Sequence, residues 1–244
     1  MNRWVRRSFI GTIAGIVTLC LAAWLYLKPY EPNDKARASL HDTAKVEVTR
    51  GKEWTSFEPQ YRTRESIIFY PGGLVEANSY APLAKMLAHR GSPVYIVDMP
   101  LDLAVFSRNR AEKIIQKYPS RSFVIGGHSL GGAMAARFAN EHPEQIEGVF
   151  LLGAYADKKG RLDEEKIETL LITGSKDRVL NREAFQKGKA YVPEDAVYHV
   201  LQGGNHAQFG SYGSQKGDGS PSIPAEEQWD ETTKWIIDWL KTLN

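Results

Sequence analysis

The sequence predicts an α/β fold: a mostly parallel central sheet with helices on both faces, with one transmembrane helix at the N-terminus. Three observations predict it. Six short runs are largely and continuously apolar rather than apolar at every second residue, as strands covered on both faces are, and helix-patterned segments alternate with them. A polar stretch carrying Pro29 and Pro32 separates these runs from the N-terminus. Before it, twenty consecutive residues carry no charge.

That uncharged run, Ser8 to Leu27, reads SFIGTIAGIVTLCLAAWLYL. As a helix it would be about 30 Å long, the thickness of a bilayer core. Arg3, Arg6 and Arg7 precede it, and Trp24 and Tyr26 lie near its far end. A cleaved signal peptide is the alternative, but the apolar run is long and Ala22-Ala23 leads into bulky Trp24. Cys20 follows Leu19, not the small residue a lipoprotein cleavage site needs. Lys28, Lys35 and Arg37 nearly balance the basic residues on the other side. The arginines clustered in so short a tail still favour a cytoplasmic tail, a single-pass anchor in the cell membrane and an extracytoplasmic domain.

Residues 28–45 read as a linker, and 46–244 as the globular domain. VEVTRGKEWTSFEP reads as a hairpin around Arg50-Gly51-Lys52. The apolar runs follow at 66–70, 93–99, 122–127, 146–152, 168–173 and 196–201. Helices are expected near 79–90, 109–118, 132–142, 181–189 and 225–243. The 244 residues suffice for one medium domain with a substantial core. Net charge is +2, with no basic stripe interleaved with aromatics, which argues against nucleic acid as a partner. The single cysteine excludes an internal disulfide. Nothing in the sequence specifies an oligomeric state.

In such sheets, chemistry collects beyond the C-terminal strand ends. Gly127-His128-Ser129-Leu130-Gly131 lies at one of them. By chance such a pentapeptide arises in roughly one chain in ten of this length, so its context must decide. SFVIGG leads into it and LGGAMAARFA starts a helix, the strand–turn–helix setting of an exposed nucleophilic serine. A serine hydroxyl needs a base. His206 lies just past the last strand in a glycine-rich loop, whereas His142 ends a helix and His199 lies within a strand. An acid should orient that imidazole. Asp177 follows LLITGSK beyond a strand end, with Asp157 in reserve after the preceding strand. Two backbone N–H groups should hold the developing oxyanion. Leu130 follows the serine, and Gly72 or Gly73 supplies the other, because Pro71 has no N–H.

FYPGGLV, GGHSLGGAMAA, GSKD and GGNHAQFGSYG, spread from about residue 60 to the C-terminus, resemble the α/β-hydrolase superfamily. The nearest likeness is its compact fold-5 branch, related to dienelactone hydrolases. The resemblance implies a Ser-Asp-His triad at Ser129, Asp177 and His206. It also implies a serine hydrolase that cleaves carboxylic esters through an acyl-enzyme, with no metal or organic cofactor. The sequence departs from dienelactone hydrolases, which use a cysteine nucleophile, and has Tyr70-Pro71 where many members have His-Gly. An acyltransferase using the same acyl-enzyme, or an inactive binding module, are the alternative readings.

Only about fifteen residues separate the runs at 146–152 and 168–173, too few for a helical cap. An open site is therefore expected, for a small-molecule ester substrate, favouring short-chain or small esters over buried long acyl chains. Met99, Leu101, Leu103, Val105 and Phe106 could line an acyl pocket or simply pack in the core. The loop 203–221, with Gln208, Tyr212, Gln215 and Asp218, reads either as a wall fixing His206 and touching polar substrate groups or as a structural loop. A calcium loop at Asp218-Gly219 has the wrong carboxylate spacing.

Overall fold

The computed structural model describes residues 28–243 together with Thr12 and Gly15. The expected membrane span at 8–27 thus lies outside the described residues, apart from those two. Among the described residues, no helix is long and apolar enough to cross a membrane.

One sheet holds β1 (Val46–Arg50), β2 (Trp54–Pro59), β3 (Ser66–Tyr70), β4 (Val94–Val97), β5 (Phe123–His128), β6 (Gly148–Leu152), β7 (Glu168–Gly174) and β8 (Val197–Leu201). Their spatial order is β1-β2-β4-β3-β5-β6-β7-β8. β2 pairs antiparallel with both β1 and β4, and every pair from β4 to β8 is parallel. Five of the six apolar runs form the buried parallel strands β3 to β7, as their composition predicts; the sixth, β8, lies at the sheet edge with Val197, Tyr198 and Val200 exposed. The buried strands alternate sides: Ile67 and Phe69 of β3 enter one core, Ile68 and Tyr70 the other.

The helices are α1 (Asp34–Ala38), α2 (Ala81–His89), α3 (Ala111–Lys117), α4 (Leu130–Glu141), α5 (Arg182–Gly188) and α6 (Ala225–Leu240). Leu83 and Leu87 of α2, with Ile236, Ile237 and Leu240 of α6, cover the first face. Ile114 of α3, Met134 and Phe138 of α4 and Phe185 of α5 cover the second. Between β6 and β7 only a single 3-10 turn, Lys158–Gly160, is formed, so no cap covers the sheet there.

Residues 28–45 are not a free linker. Tyr30 N–H donates to the Leu74 carbonyl (2.7 Å), and Glu76 N–H to the Tyr30 carbonyl (3.1 Å). Asn33 N–H donates to the Ser211 carbonyl (2.9 Å), and Ser211 Oγ lies 2.7 Å from Asn33 Oδ1. Asn33 also caps α1, whose Ala36 is fully buried. The prolines that suggest a flexible tether instead fix an extended strap. It joins the loop after β3 to the loop after β8.

Candidate active site

Ser129 stands between β5 and α4 with φ 52° and ψ −122°, a left-handed strain that few non-glycine residues bear. The bend lifts its side chain off the strand line and leaves it half-exposed. The main chain is held there by Ser129 N–H donating to the Leu152 carbonyl at 2.9 Å. Gly131 explains how so sharp a turn closes. A Cβ there would lie 2.2 Å from the carbonyl oxygens of Tyr70 and Pro71, so only glycine lets α4 begin against the end of β3.

Asp177 and His206, 29 residues apart in sequence, meet beyond the ends of β7 and β8. Asp177 Oδ2 lies 2.8 Å from His206 Nδ1, with both side chains essentially inaccessible (0% and 1%). The other carboxylate oxygen accepts from Val179 N–H (2.9 Å) and Leu180 N–H (2.8 Å). A carboxylate so held faces Nδ1 as an acceptor and places the imidazole hydrogen there. His206 Nε2 is then the basic nitrogen, and it makes no hydrogen bond among the described residues.

The loop 203–221 fixes this pair. Asp218 Oδ2 accepts from Ala207 N–H (2.8 Å), and its Oδ1 accepts from Arg178 N–H (3.2 Å) and Gly219 N–H (2.8 Å). One carboxylate therefore grips the residue after His206 and the residue after Asp177. From α6, Gln228 accepts from Asn205 N–H (3.1 Å) and donates to the Asn205 carbonyl (2.9 Å). The loop's wall-like role toward His206 is visible in these bonds. Asp218, whose oxygens serve backbone donors, was legible only as a charge in a glycine-rich stretch.

Gly72 and Gly73, equivalent in the sequence, differ in the fold. Gly72 N–H donates to Tyr80 Oη (3.0 Å), a buried bond that occupies it. Gly73 packs against the Leu130 side chain, where an added Cβ would sit 3.0 Å from Leu130 Cδ2. Among the described residues, neither Gly73 N–H nor Leu130 N–H has an acceptor. The choice between the two glycines thus narrows to Gly73.

Because Tyr80 Oη accepts from Gly72, its own proton is free to go to His128 Nδ1, 2.8 Å away. A neutral His128 then carries its hydrogen on Nε2. Its ring centroid lies 4.3 Å from that of His206. Burial first, then the charge of His206, push His128 well below the usual imidazole value of 6.5, against a smaller upward pull from the His206 main chain. The folded state thus binds this proton less tightly than the unfolded chain does. The stability contributed by neutral His128 is complete above about pH 6.5 and is lost as pH falls below it. Asp98 slopes the other way: burial lifts it to about 6, so folding gains as pH falls through that value. Comparing wild type with His128→Gln cancels the Asp98 effect. The wild-type advantage in urea midpoint is expected to shrink between pH 7.5 and pH 5; a constant difference would refute the neutral assignment.

Ser129, Leu130 and His206 share a cavity of about 350 Å³, walled by Met134, Tyr155, Val179 and Leu180. Arg137 and Asp157 also line it. Asp157, the reserve acid, is committed to Arg137 and to the N–H groups of Lys159 and Gly160 (3.0 Å each). Burial raises its pKa, but the Arg137 bond and charge outweigh that and leave it below the ordinary value. Of the apolar residues after β4, Met99 packs in the core and half-buried Leu103 lies beside Gly73, while Leu101, Val105 and Phe106 face solvent rather than lining an acyl pocket. Gly153 went unnoticed in the sequence. It has φ +52°, and a Cβ there would lie 2.9 Å from His206 Nδ1 and 3.2 Å from Asp177 Oδ2. Its only sequence signal is a glycine directly after an apolar run.

The alpha/beta hydrolase family model matches residues 66–230. No curated protein matches the sequence. Among solved structures, an alpha/beta hydrolase from a sediment metagenome of the Mar Chica lagoon, Morocco, aligns with TM-score 0.60 and 15% identity, over 80% of this chain and 98% of its own. A bacterial membrane phospholipase A, described as a virulence factor, aligns at 0.62 and 14%, over 100% and 99%. A dienelactone hydrolase from Anabaena variabilis aligns at 0.58 and 14%, over 80% and 98%. At these identities the likeness is one of fold.

Proposed function

The chain belongs to the alpha/beta hydrolase family and is a hydrolase, and from that premise we propose that it cleaves carboxylic esters through an acyl-enzyme on Ser129. The observation that carries this reading is the buried Asp177–His206 pair, whose free Nε2 belongs to a residue lining the same cavity as Ser129. His206 takes the Ser129 proton as Oγ attacks the ester carbonyl. Asp177 holds the ring and stabilises the imidazolium that forms. The oxyanion is received by Leu130 N–H and Gly73 N–H, which need no new reorganisation at the moment of reaction. His206 returns the proton to the departing alcohol, and water repeats the cycle on the acyl-enzyme.

His128 supports this arrangement by staying neutral, since a second imidazolium beside His206 would oppose the charge that catalysis creates. Tyr80 contributes by occupying Gly72 N–H, and Val75 N–H, donating to the Gly72 carbonyl (3.2 Å), holds the peptide that carries Gly73 N–H. The cavity, small among ligand sites, accommodates a short acyl or alcohol group. A fluorophosphonate probe is expected to label the wild-type protein and not Ser129→Ala. A folded wild-type protein that stays unlabelled would sink the assignment.

The uncharged run 8–27 supports a single-pass membrane anchor, with its basic tail in the cytoplasm and the domain outside. Alkaline carbonate is expected to leave the full chain in the membrane pellet. Its release into the supernatant would remove the anchor.

A further inference from the structure

The loop between β4 and α3 reverses the usual rule of burial. Ala104 is buried and Asp102 half-buried, whereas Leu101, Phe106 and Val105 are 76%, 62% and 47% exposed. Leu101 and Asp102 both hold positive φ (54° each), a costly backbone that turns Leu101 outward. Three large apolar side chains within six residues form a patch rather than scattered exposure.

Two connections place this patch. Leu74 N–H donates to the Asp102 carbonyl (2.8 Å), and Leu103 Cδ2 would lie 3.5 Å from a Cβ on Gly73, so the loop flanks the glycine turn of the site. The Leu74 carbonyl in turn accepts from Tyr30 N–H (2.7 Å). Tyr30 stands three residues beyond Leu27, where the twenty-residue uncharged run ends. The point at which the chain would leave a bilayer is therefore two hydrogen bonds from the exposed apolar loop.

We propose that Leu101, Val105 and Phe106 dock into the surface of the bilayer that holds the N-terminal run, so that the mouth of the site faces lipid. The inference rests on the hydrolase and anchor readings above and adds a substrate class: esters dissolved in the membrane. The small uncapped cavity fits this. It needs to hold only the reacting end of such an ester, while a long acyl chain stays in the bilayer rather than being drawn into water.

The full chain carrying Cys20→Ser and Val105→Cys, labelled with the environment-sensitive dye NBD, is reconstituted in phosphatidylcholine–phosphatidylglycerol vesicles. NBD at position 105 is expected to shift to the blue and to be quenched at least twofold by doxyl-labelled lipid. NBD at Tyr61→Cys, in the turn leading to the opposite end of β3, should be unaffected. Equal, water-like emission at both positions would overturn the proposal. The variant L101S/V105S/F106S is expected to hydrolyse p-nitrophenyl palmitate in vesicles at least tenfold more slowly, with p-nitrophenyl butyrate turnover in water unchanged. Equal effects on the two esters would overturn it as well. A wild-type protein inactive on both would defeat the hydrolase reading instead, while the quenching would still decide the docking.

Discussion

Replacing Asp177 by Asn is expected to lower kcat by about 10⁴-fold with little change in KM. The reason lies in the division of labour between its two oxygens. Oδ1 accepts from two backbone N–H groups, Val179 and Leu180, and only an oxygen can fill that position. An asparagine must therefore turn its NH₂ toward His206 Nδ1. That nitrogen becomes an acceptor, the imidazole hydrogen moves to Nε2, and the base loses the lone pair it needs. The backbone bonds survive, so the thermal midpoint should move little. Steady-state kinetics beside a melting curve check both halves; a kcat within tenfold of wild type would show that the pair does not orient the base.

Gly153→Ala should produce the second large loss, about 10²- to 10³-fold in kcat/KM, on the scale set by misplacing a reacting group by an ångström. The position has φ +52°, which an alanine adopts at a cost of about 1–2 kcal/mol. Its methyl group would also stand 2.9 Å from His206 Nδ1, inside van der Waals contact of the nitrogen bonded to Asp177. The ring must shift, and the 2.8 Å bond is what gives. The low-field proton resonance expected of that bond in wild type should vanish in the variant. Persistence of both the signal and the activity would mean that β6 can yield where the geometry says it cannot.

Much of this site was legible before any coordinates. Ser129, Asp177 and His206 each follow an apolar run, and in a parallel sheet the ends of such runs lie along one edge. The order of the runs therefore placed the three candidate residues along one edge without a contact map. The same reasoning could not separate Gly72 from Gly73. Two adjacent glycines look alike until Tyr80, eight residues on, takes one N–H and leaves the other. Nor could it separate the readings of the glycine-rich loop, because the role of Asp218 depends on Arg178, forty residues away.

The segment 28–45 and the loop after β4 were hard to read for a related reason. Polar, proline-bearing sequence suits both a free tether and an extended segment pinned by its backbone, and only the partners at Leu74, Glu76 and Ser211 distinguish them. An apolar run after a strand suits both a pocket wall and an outward patch; the positive φ of Leu101 and Asp102 decided for the patch. By itself, then, the sequence determined the strands, every helix after α1 and the three candidate residues at the strand ends, because apolar runs and helix periodicity are written in local patterns. The tertiary structure alone decided which N–H groups stay free, why residue 153 must be glycine and which way the apolar loop faces. Those depend on hydrogen bonds and close approaches between residues far apart in the chain, which no local pattern records.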